Sequence, residues 1–175
     1  MSRVAPLVEA PITAQHDRKR FDCGDGDLNH YLQRYARQNH ELGGAKCFVA
    51  INADARERIL GFYTLSPASL LYARTPEVLR RGLGRYEVPV FRLGRLAVDL
   101  SVQGKGLGGK LLLAAGERAL LVSEQVGGVA LLIDAKSQRA ADWYQSYGAV
   151  PLADAELSLV LPLKTVAAAL GGVTS

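Results

Sequence analysis

The 175-residue chain is poor in cysteine, and the two it has, Cys23 and Cys47, form no CxxC pair. Two thiols cannot staple a small secreted scaffold, so reduced, partly buried cysteines are expected. Histidine is scarce as well. His16, His30 and His40 show no metal-ligand spacing with one another or with the cysteines, and no metal is expected. No apolar run approaches the roughly 20 residues that span a bilayer. Met1 to Ala10, interrupted by Pro6 and Glu9, lacks the continuous apolar stretch of a signal peptide. These absences point to a cytoplasmic chain with no membrane partner. Repeats and low-complexity tracts are also missing. One domain over residues 1–175 is expected, with a short disordered tail at 171–175.

What is present is ordinary for a globular protein: 49% hydrophobic and 22% charged residues, enough for one sizeable core. The net charge of +4 and pI of about 9.2 are a mild basic bias, compatible with an anionic partner without requiring one. Apolar residues at Leu28, Tyr31, Leu32, Tyr35 and Ala36 recur at helical spacing and predict one amphipathic helix from Leu28 to Leu42. Asp25 or Asp27 can cap its start, and Gly43-Gly44 can end it. Lys46–Ile51 and Ile59–Leu65 read as a hairpin across a polar turn. A short helix is expected near Glu77–Arg81 and a third strand over Phe91–Val98. Leu107–Val122 is apolar on several faces and reads as a mostly buried helix. Val129–Ile133 reads as a strand, Gln138–Ser146 as a short helix, and Glu156–Leu163 as a last strand. Strands alternating with helices imply an α/β class, a mixed central sheet flanked by helices.

The stretch that carries chemistry runs from Arg95 to Lys110, RLAVDLSVQGKGLGGK. A strand, a glycine-rich turn and a helix follow in order. Glycines let backbone approach a ligand closely. The first amides of a helix lack internal acceptors, and with the helix dipole they favour a phosphate. Lys105 and Lys110 add charge. The Walker pattern fails, because Lys110 is followed by Leu111 where a metal-binding hydroxyl belongs. The dinucleotide pattern lacks its acidic residue at a strand end about 20 residues on.

Gln103-Gly-Lys-Gly106-Leu-Gly108 resembles the Q/R-x-x-G-x-G/A pyrophosphate loop of the GNAT acetyltransferases. Ala140-Ala-Asp-Trp-Tyr144-Gln-Ser-Tyr-Gly148-Ala resembles the family's second signature, in the right order, and the likeness runs from about Phe21 to Leu163. The resemblance implies a GNAT fold and acetyl-CoA as co-substrate. It implies backbone binding of the pantetheine arm along Leu96, Ala97 and Val98. Binding of the pyrophosphate falls to the loop amides of Gln103, Gly104, Lys105, Gly106, Leu107, Gly108 and Gly109. Tyr144 matches the general acid, and a backbone N–H near Val98 is the implied donor to the thioester oxygen. Ser137 stands where many members place an asparagine on the pantetheine, and Ala149 where they place an aromatic residue. No base is evident; Asp99 and Glu87 are candidates by default.

A narrower likeness concerns Phe21-Asp-Cys-Gly24, Leu93-Gly-Arg95-Leu-Ala-Val-Asp99, Leu132-Ile-Asp-Ala-Lys136 and Leu161-Pro-Leu163. These resemble the tRNA-acetylating GNAT toxins of bacterial type II toxin–antitoxin systems. That implies acetylation of the α-amine of aminoacyl-tRNA, a homodimer and an antitoxin of the ribbon–helix–helix type. An ester-linked α-amine is weakly basic, which suits a site without a base. Arg34 and Arg37, on one helix face, and Arg80, Arg81, Arg85 and Arg95, in a region before and along the third strand that also holds Arg74 and Arg92, are candidate tRNA contacts. Two other readings stand beside this one: acetylation of a small-molecule amine or protein N-terminus, and a non-catalytic acetyl-CoA-binding module.

Overall fold

The computed structural model describes residues 7–171. Residues 1–6 and most of the expected tail, 172–175, lie outside the described residues, while Gly171 ends a helix. Seven strands hydrogen-bond in the order β1-β2-β3-β4-β5-β7-β6. They are β1 (Leu7–Pro11), β2 (Lys46–Asn52), β3 (Ala55–Leu70), β4 (Val88–Val98), β5 (Ala130–Asp134), β6 (Val150–Leu152) and β7 (Ala155–Pro162). The helices are α1 (Gly26–Arg34), α2 (Ala36–Leu42), α3 (Glu77–Arg80), α4 (Leu107–Val126), α5 (Gln138–Ser146) and α6 (Leu163–Gly171). The mixed α/β class expected from the sequence is the class observed. Backbone packing groups the residues into two compact units, 1–66 with 95–112 and 67–94 with 113–175.

In the first unit, β1, β2 and β3 pair antiparallel. Cys47 to Ile51 and Ile59 to Leu65 are buried without a break. That explains why both runs are apolar at nearly every position instead of alternating: neither face meets water. Phe21, Leu32, Val49, Ile59 and Phe62 fill the core, with the Phe21 and Phe62 rings edge-on at 5.5 Å. The single helix expected over Leu28–Leu42 is two helices broken at Tyr35, whose φ is −122°. Arg18 Nη1 donates to Gln33 O at 3.1 Å, taking one of the carbonyls that a helix end leaves unpaired. Of the two candidate caps, Asp25 serves, accepting from the Asp27 and Leu28 amides. Gly43 ends α2 at φ +82°.

In the second unit, β4 and β5 pair in parallel, Phe91–Leu93 with Leu131–Ile133. Strand β7 runs antiparallel to both β5 and β6. Leu70, Val88, Val90, Leu132 and Val160 lie in the core. Here α6 begins at Leu163, where the last strand is expected from sequence to continue. Its Val166 packs where a side chain on Gly116 would stand, 2.7 Å from an added Cβ. The expectation of a mostly buried α4 needs correction. Leu107, Leu111, Leu112, Ala115 and Ala119 are buried, but Leu121, Val122 and Val126 are exposed. One face of the helix packs, and its last turns do not.

Candidate active site

The loop between β4 and α4 holds two left-handed residues, Gly104 at φ +77° and Gly106 at φ +84°. An added Cβ at either meets nothing within 4 Å. Conformation, not crowding, is therefore what calls for glycine here. Lys110 N donates to Gly106 O at 3.3 Å, so the ladder of α4 starts at that carbonyl. The amides before Lys110 in its first turn have no acceptor within the helix. Residues 103–106 and Lys110 are exposed, and Leu107 is buried. This donor set, a helix N-terminus with two lysines and no carboxylate side chain from 103 to 110, fits a pyrophosphate.

The glycine helix is held against the sheet by the absence of a side chain at Gly61. A Cβ there would stand 2.8 Å from Leu111 Cδ1 and 3.1 Å from Ala97 O. The register between β4 and β5 takes in three residue pairs, ending at Leu93 and Ile133. Leu96, Ala97 and Val98 lie beyond it.

The loop's root is tied down by side chains in a role the sequence did not suggest. Gln103 Nε2 donates to Cys23 O at 3.0 Å and to Val98 O at 2.9 Å. Asp99, a base candidate by default, is only 5% exposed. It accepts from the Asp22 amide at 2.9 Å and from the Ser101 amide and hydroxyl, and Arg58 lies 3.5 Å away. Desolvation pushes its pKa up, but the hydrogen bonds from Ser101 and Asp22 and the Arg58 charge outweigh it, and the carboxyl stays below its usual range. An acceptor so fully engaged is a brace, not a proton acceptor for substrate. Glu87, the other default, is exposed and accepts from Ser69 Oγ at 3.3 Å.

Tyr144 and Ser137 belong to the second unit. Ser137 caps α5, its Oγ accepting from the Ala140 amide at 3.1 Å. Tyr144 is half-buried, its ring edge-on to Trp143 at 4.9 Å. Desolvation pushes its phenol up to about 12. The helix ends where Gly148 turns at φ +101°; a side chain there would strike Thr165 of α6 at 2.8 Å. The glycine of this signature is thus fixed by both conformation and packing.

The candidate RNA contacts separate. Arg80, Arg81 and Arg85 line one depression of about 470 Å³ with Tyr72 and Glu77. Arg80 lies 5.3 Å from the Tyr72 ring centre, and Arg81 pairs with Glu77 at 3.6 Å. Lys164 joins Glu77 and Arg81 around a second depression. In the first unit, Arg34 is exposed, Arg37 pairs with Glu41 at 3.0 Å, and the Arg95 guanidinium stacks 3.5 Å from the centre of the Tyr31 ring. Arg74 and Arg92 are held by Asp154 and Asp134. Both cysteines are free, and burial pushes the Cys47 thiol up to about 12. Among the described residues no group of three histidine, cysteine or acidic side chains could hold a metal ion.

Known proteins share this arrangement. Residues 43–148, which include both the glycine loop and Tyr144, match the acetyltransferase (GNAT) domain family. A tRNA-acetylating toxin of Mycobacterium tuberculosis is 34% identical over 91% of this chain and 94% of its own length. The solved structure of AtaT complexed with acetyl-methionyl-tRNAfMet is 28% identical and superposes with a TM-score of 0.87 over 94% of this chain and 99% of that one. A mutant AtaT toxin bound to the C-terminus of the antitoxin AtaR and acetyl-CoA is also 28% identical, with a TM-score of 0.81 over 94% and 98% of the two chains. The glycine turn opening α4, the tyrosine on α5 and a family match running through both make this chain a member of the GNAT acetyltransferase family.

Proposed function

We propose that this chain is an acetyl-CoA-dependent N-acetyltransferase that acetylates the α-amine of aminoacyl-tRNA and, as a toxin, blocks translation. The observation that carries the reading is the likeness along nearly the whole chain to AtaT, solved with acetyl-methionyl-tRNAfMet. The M. tuberculosis relative points the same way. The anion-binding geometry of residues 103–109 is what such a reaction needs. The whole chain then serves as one acetyltransferase domain.

Acetyl-CoA supplies a thioester whose carbonyl carbon is attacked by the amine nitrogen; the C–N bond forms, the C–S bond breaks, and the sulfur leaves needing a proton. The amides of Gln103 to Gly109 hold the pyrophosphate, and the backbone of Leu96 to Val98 orients the pantetheine arm. The Val98 N–H donates to the thioester oxygen as it gains charge. Tyr144 gives its proton to the departing sulfur. A thiol has a pKa of about 8.5, so full transfer from a phenol near 12 is uphill by about 5 kcal/mol in isolation. Tyr144 therefore releases its proton as the C–S bond breaks, and the proton shed by the attacking amine restores the phenol. Proton number balances, and no carboxylate base is required. Ser137, whose Oγ already accepts from Ala140 N as a helix cap, keeps its hydroxyl proton and one lone pair for the pantetheine contact.

Arg80, Arg81 and Arg85, with exposed Arg34, supply the phosphate contacts. Arg37 and Arg95, already engaged inside the first unit, contribute less. A homodimer and a ribbon–helix–helix antitoxin complete the proposal; the complex of AtaT with AtaR supports an antitoxin partner. No described helix is long and apolar enough to cross a membrane, and the substrate places the work in the cytoplasm.

The test uses labelled acetyl-CoA with charged and uncharged total tRNA, for wild type and Tyr144→Phe. Label on charged tRNA only, lost in the variant, is the expected result. Label that instead appears on small amines or peptides, with charged tRNA untouched, overturns the toxin reading and leaves a different acceptor. CoA binding with no transfer to any acceptor leaves only a binding module.

A further inference from the structure

A carboxylate with many partners stands at the foot of the glycine loop. Asp99 Oδ1 accepts from the Asp22 amide at 2.9 Å. Its Oδ2 accepts from Ser101 N at 3.1 Å and Ser101 Oγ at 2.5 Å. Arg58 Nη2 donates to the same Ser101 hydroxyl at 3.2 Å and lies 3.5 Å from Oδ2. The backbone joins in: Asp99 N donates to Leu60 O at 2.8 Å, Leu100 N to Asp22 O at 2.8 Å, and Val102 N to Asp99 O at 3.0 Å. Three pieces of chain thus meet at Asp99: β3 through Leu60 at its backbone and Arg58 at its carboxylate, the segment around Asp22, and the turn itself.

Burying a carboxylate is costly, and an apolar residue in its place is often no less stable. What a braced carboxylate supplies is geometry. The loop beyond it carries two left-handed glycines with open space around them. Holding each residue of such a turn in one conformation costs about 1–2 kcal/mol of chain entropy. With its root fixed by Asp99 and its far end fixed by α4, only a few residues remain to be ordered when an anion arrives. We infer that Asp99, with Ser101 and Arg58, is a positioning group that pre-organises the loop amides for the CoA pyrophosphate. The inference rests on the reading that residues 103–109 take that pyrophosphate.

The experiment is calorimetric binding of CoA, and of pantetheine, which lacks the pyrophosphate, to wild type, Asp99→Asn and Ser101→Ala. Asp99→Asn keeps the size and removes the charge. It is expected to weaken CoA binding about tenfold, and Ser101→Ala about threefold, the scale of hydrogen bonds to a charged group. Pantetheine binding should move less than about twofold on the same scale. The KM for acetyl-CoA should rise while kcat on charged tRNA holds. Equal weakening of CoA and pantetheine overturns the inference, since a merely structural brace affects both. So does unchanged CoA binding in the variants. If Asp99→Asn fails to fold, Ser101→Ala decides alone. A wild type that binds CoA no better than pantetheine fails differently: it removes the loop reading itself, and the inference with it.

Discussion

At Tyr144 burial disfavours the phenolate and holds the pKa at about 12, so the side chain keeps its proton across the whole neutral range. The attacking α-amine behaves oppositely. Its free pKa is about 7.7–8.0, and an ester neighbour lowers it further. Raising the pH therefore only adds reactive amine. The kcat/KM profile should climb to a plateau and show no descending limb below about pH 10, where an ordinary tyrosine would begin to ionise. Tyr144→Phe should lose about 10²- to 10⁴-fold in rate, as loss of a general acid does, while Kd for CoA stays put. Asp99 carries a second pH dependence. Its folded pKa lies below the ordinary carboxylate value, so the stability it lends is complete above about pH 4 and is lost as pH falls through the folded pKa. Denaturant melts of Asp99→Asn should therefore lose part of the wild type's decline as pH falls below about 4. Tyr144 is singled out in the sequence by a local pattern, Ala140 to Ala149. The partners of Asp99 come from residues 22, 58 and 101, and no spacing rule connects them. Its side chain looked like a default base for that reason.

Elements that depend on local chemistry were readable almost to the residue. Helix α5 runs from Gln138 to Ser146 as expected, because Ser137 caps it and Gly148 stops it. Where tertiary contacts decide, the reading failed. At the break at Tyr35, the Gln33 carbonyl is taken by Arg18, 15 residues earlier in the chain. Strand β3 runs on to Leu70 although Pro67 lacks an N–H to pair; its fixed φ is compatible with extended backbone. The start of α4 gives the sharpest test. Gly61→Ala should cost about 1–3 kcal/mol in a urea melt, the usual penalty of overpacking a core contact, because backbone Ala97 O at 3.1 Å yields less than Leu111 does. Gly106→Ala should cost about 1–2 kcal/mol for its left-handed φ. Since nothing crowds that position, its effect should appear more strongly in the KM for acetyl-CoA than in the melt of the whole protein.

For the whole molecule, the net charge of +4 matters less than where the arginines stand. Sequence suggested one crowded arginine region from residue 74 to residue 95. The structure pairs Arg74 and Arg92 with aspartates and Arg81 with Glu77, sets Arg95 and Arg80 over aromatic rings, and gathers Arg80, Arg81 and Arg85 around one depression. Binding of charged tRNA should therefore weaken steeply with salt. Replacing all three by glutamine should lower the slope of log K against log salt by about 2, at about 0.7 for each phosphate that is no longer neutralised. Filter binding from low to moderate salt measures it, and an unchanged slope would place the RNA elsewhere.

The strand order has a consequence for how the protein is born. Strand β5 pairs on one edge with β4, already synthesised, and on the other with β7, near the end of the chain. Gly116 and Gly148 receive their packing partners later still, from α6. A nascent chain halted before residue 155 carries an open β5 edge, and the Gly148 turn that follows α5 lacks Thr165 of α6. The fold of the second unit therefore closes only once residues 155–166 are available, because they supply both the second edge of β5 and the side chains that pack on Gly116 and Gly148.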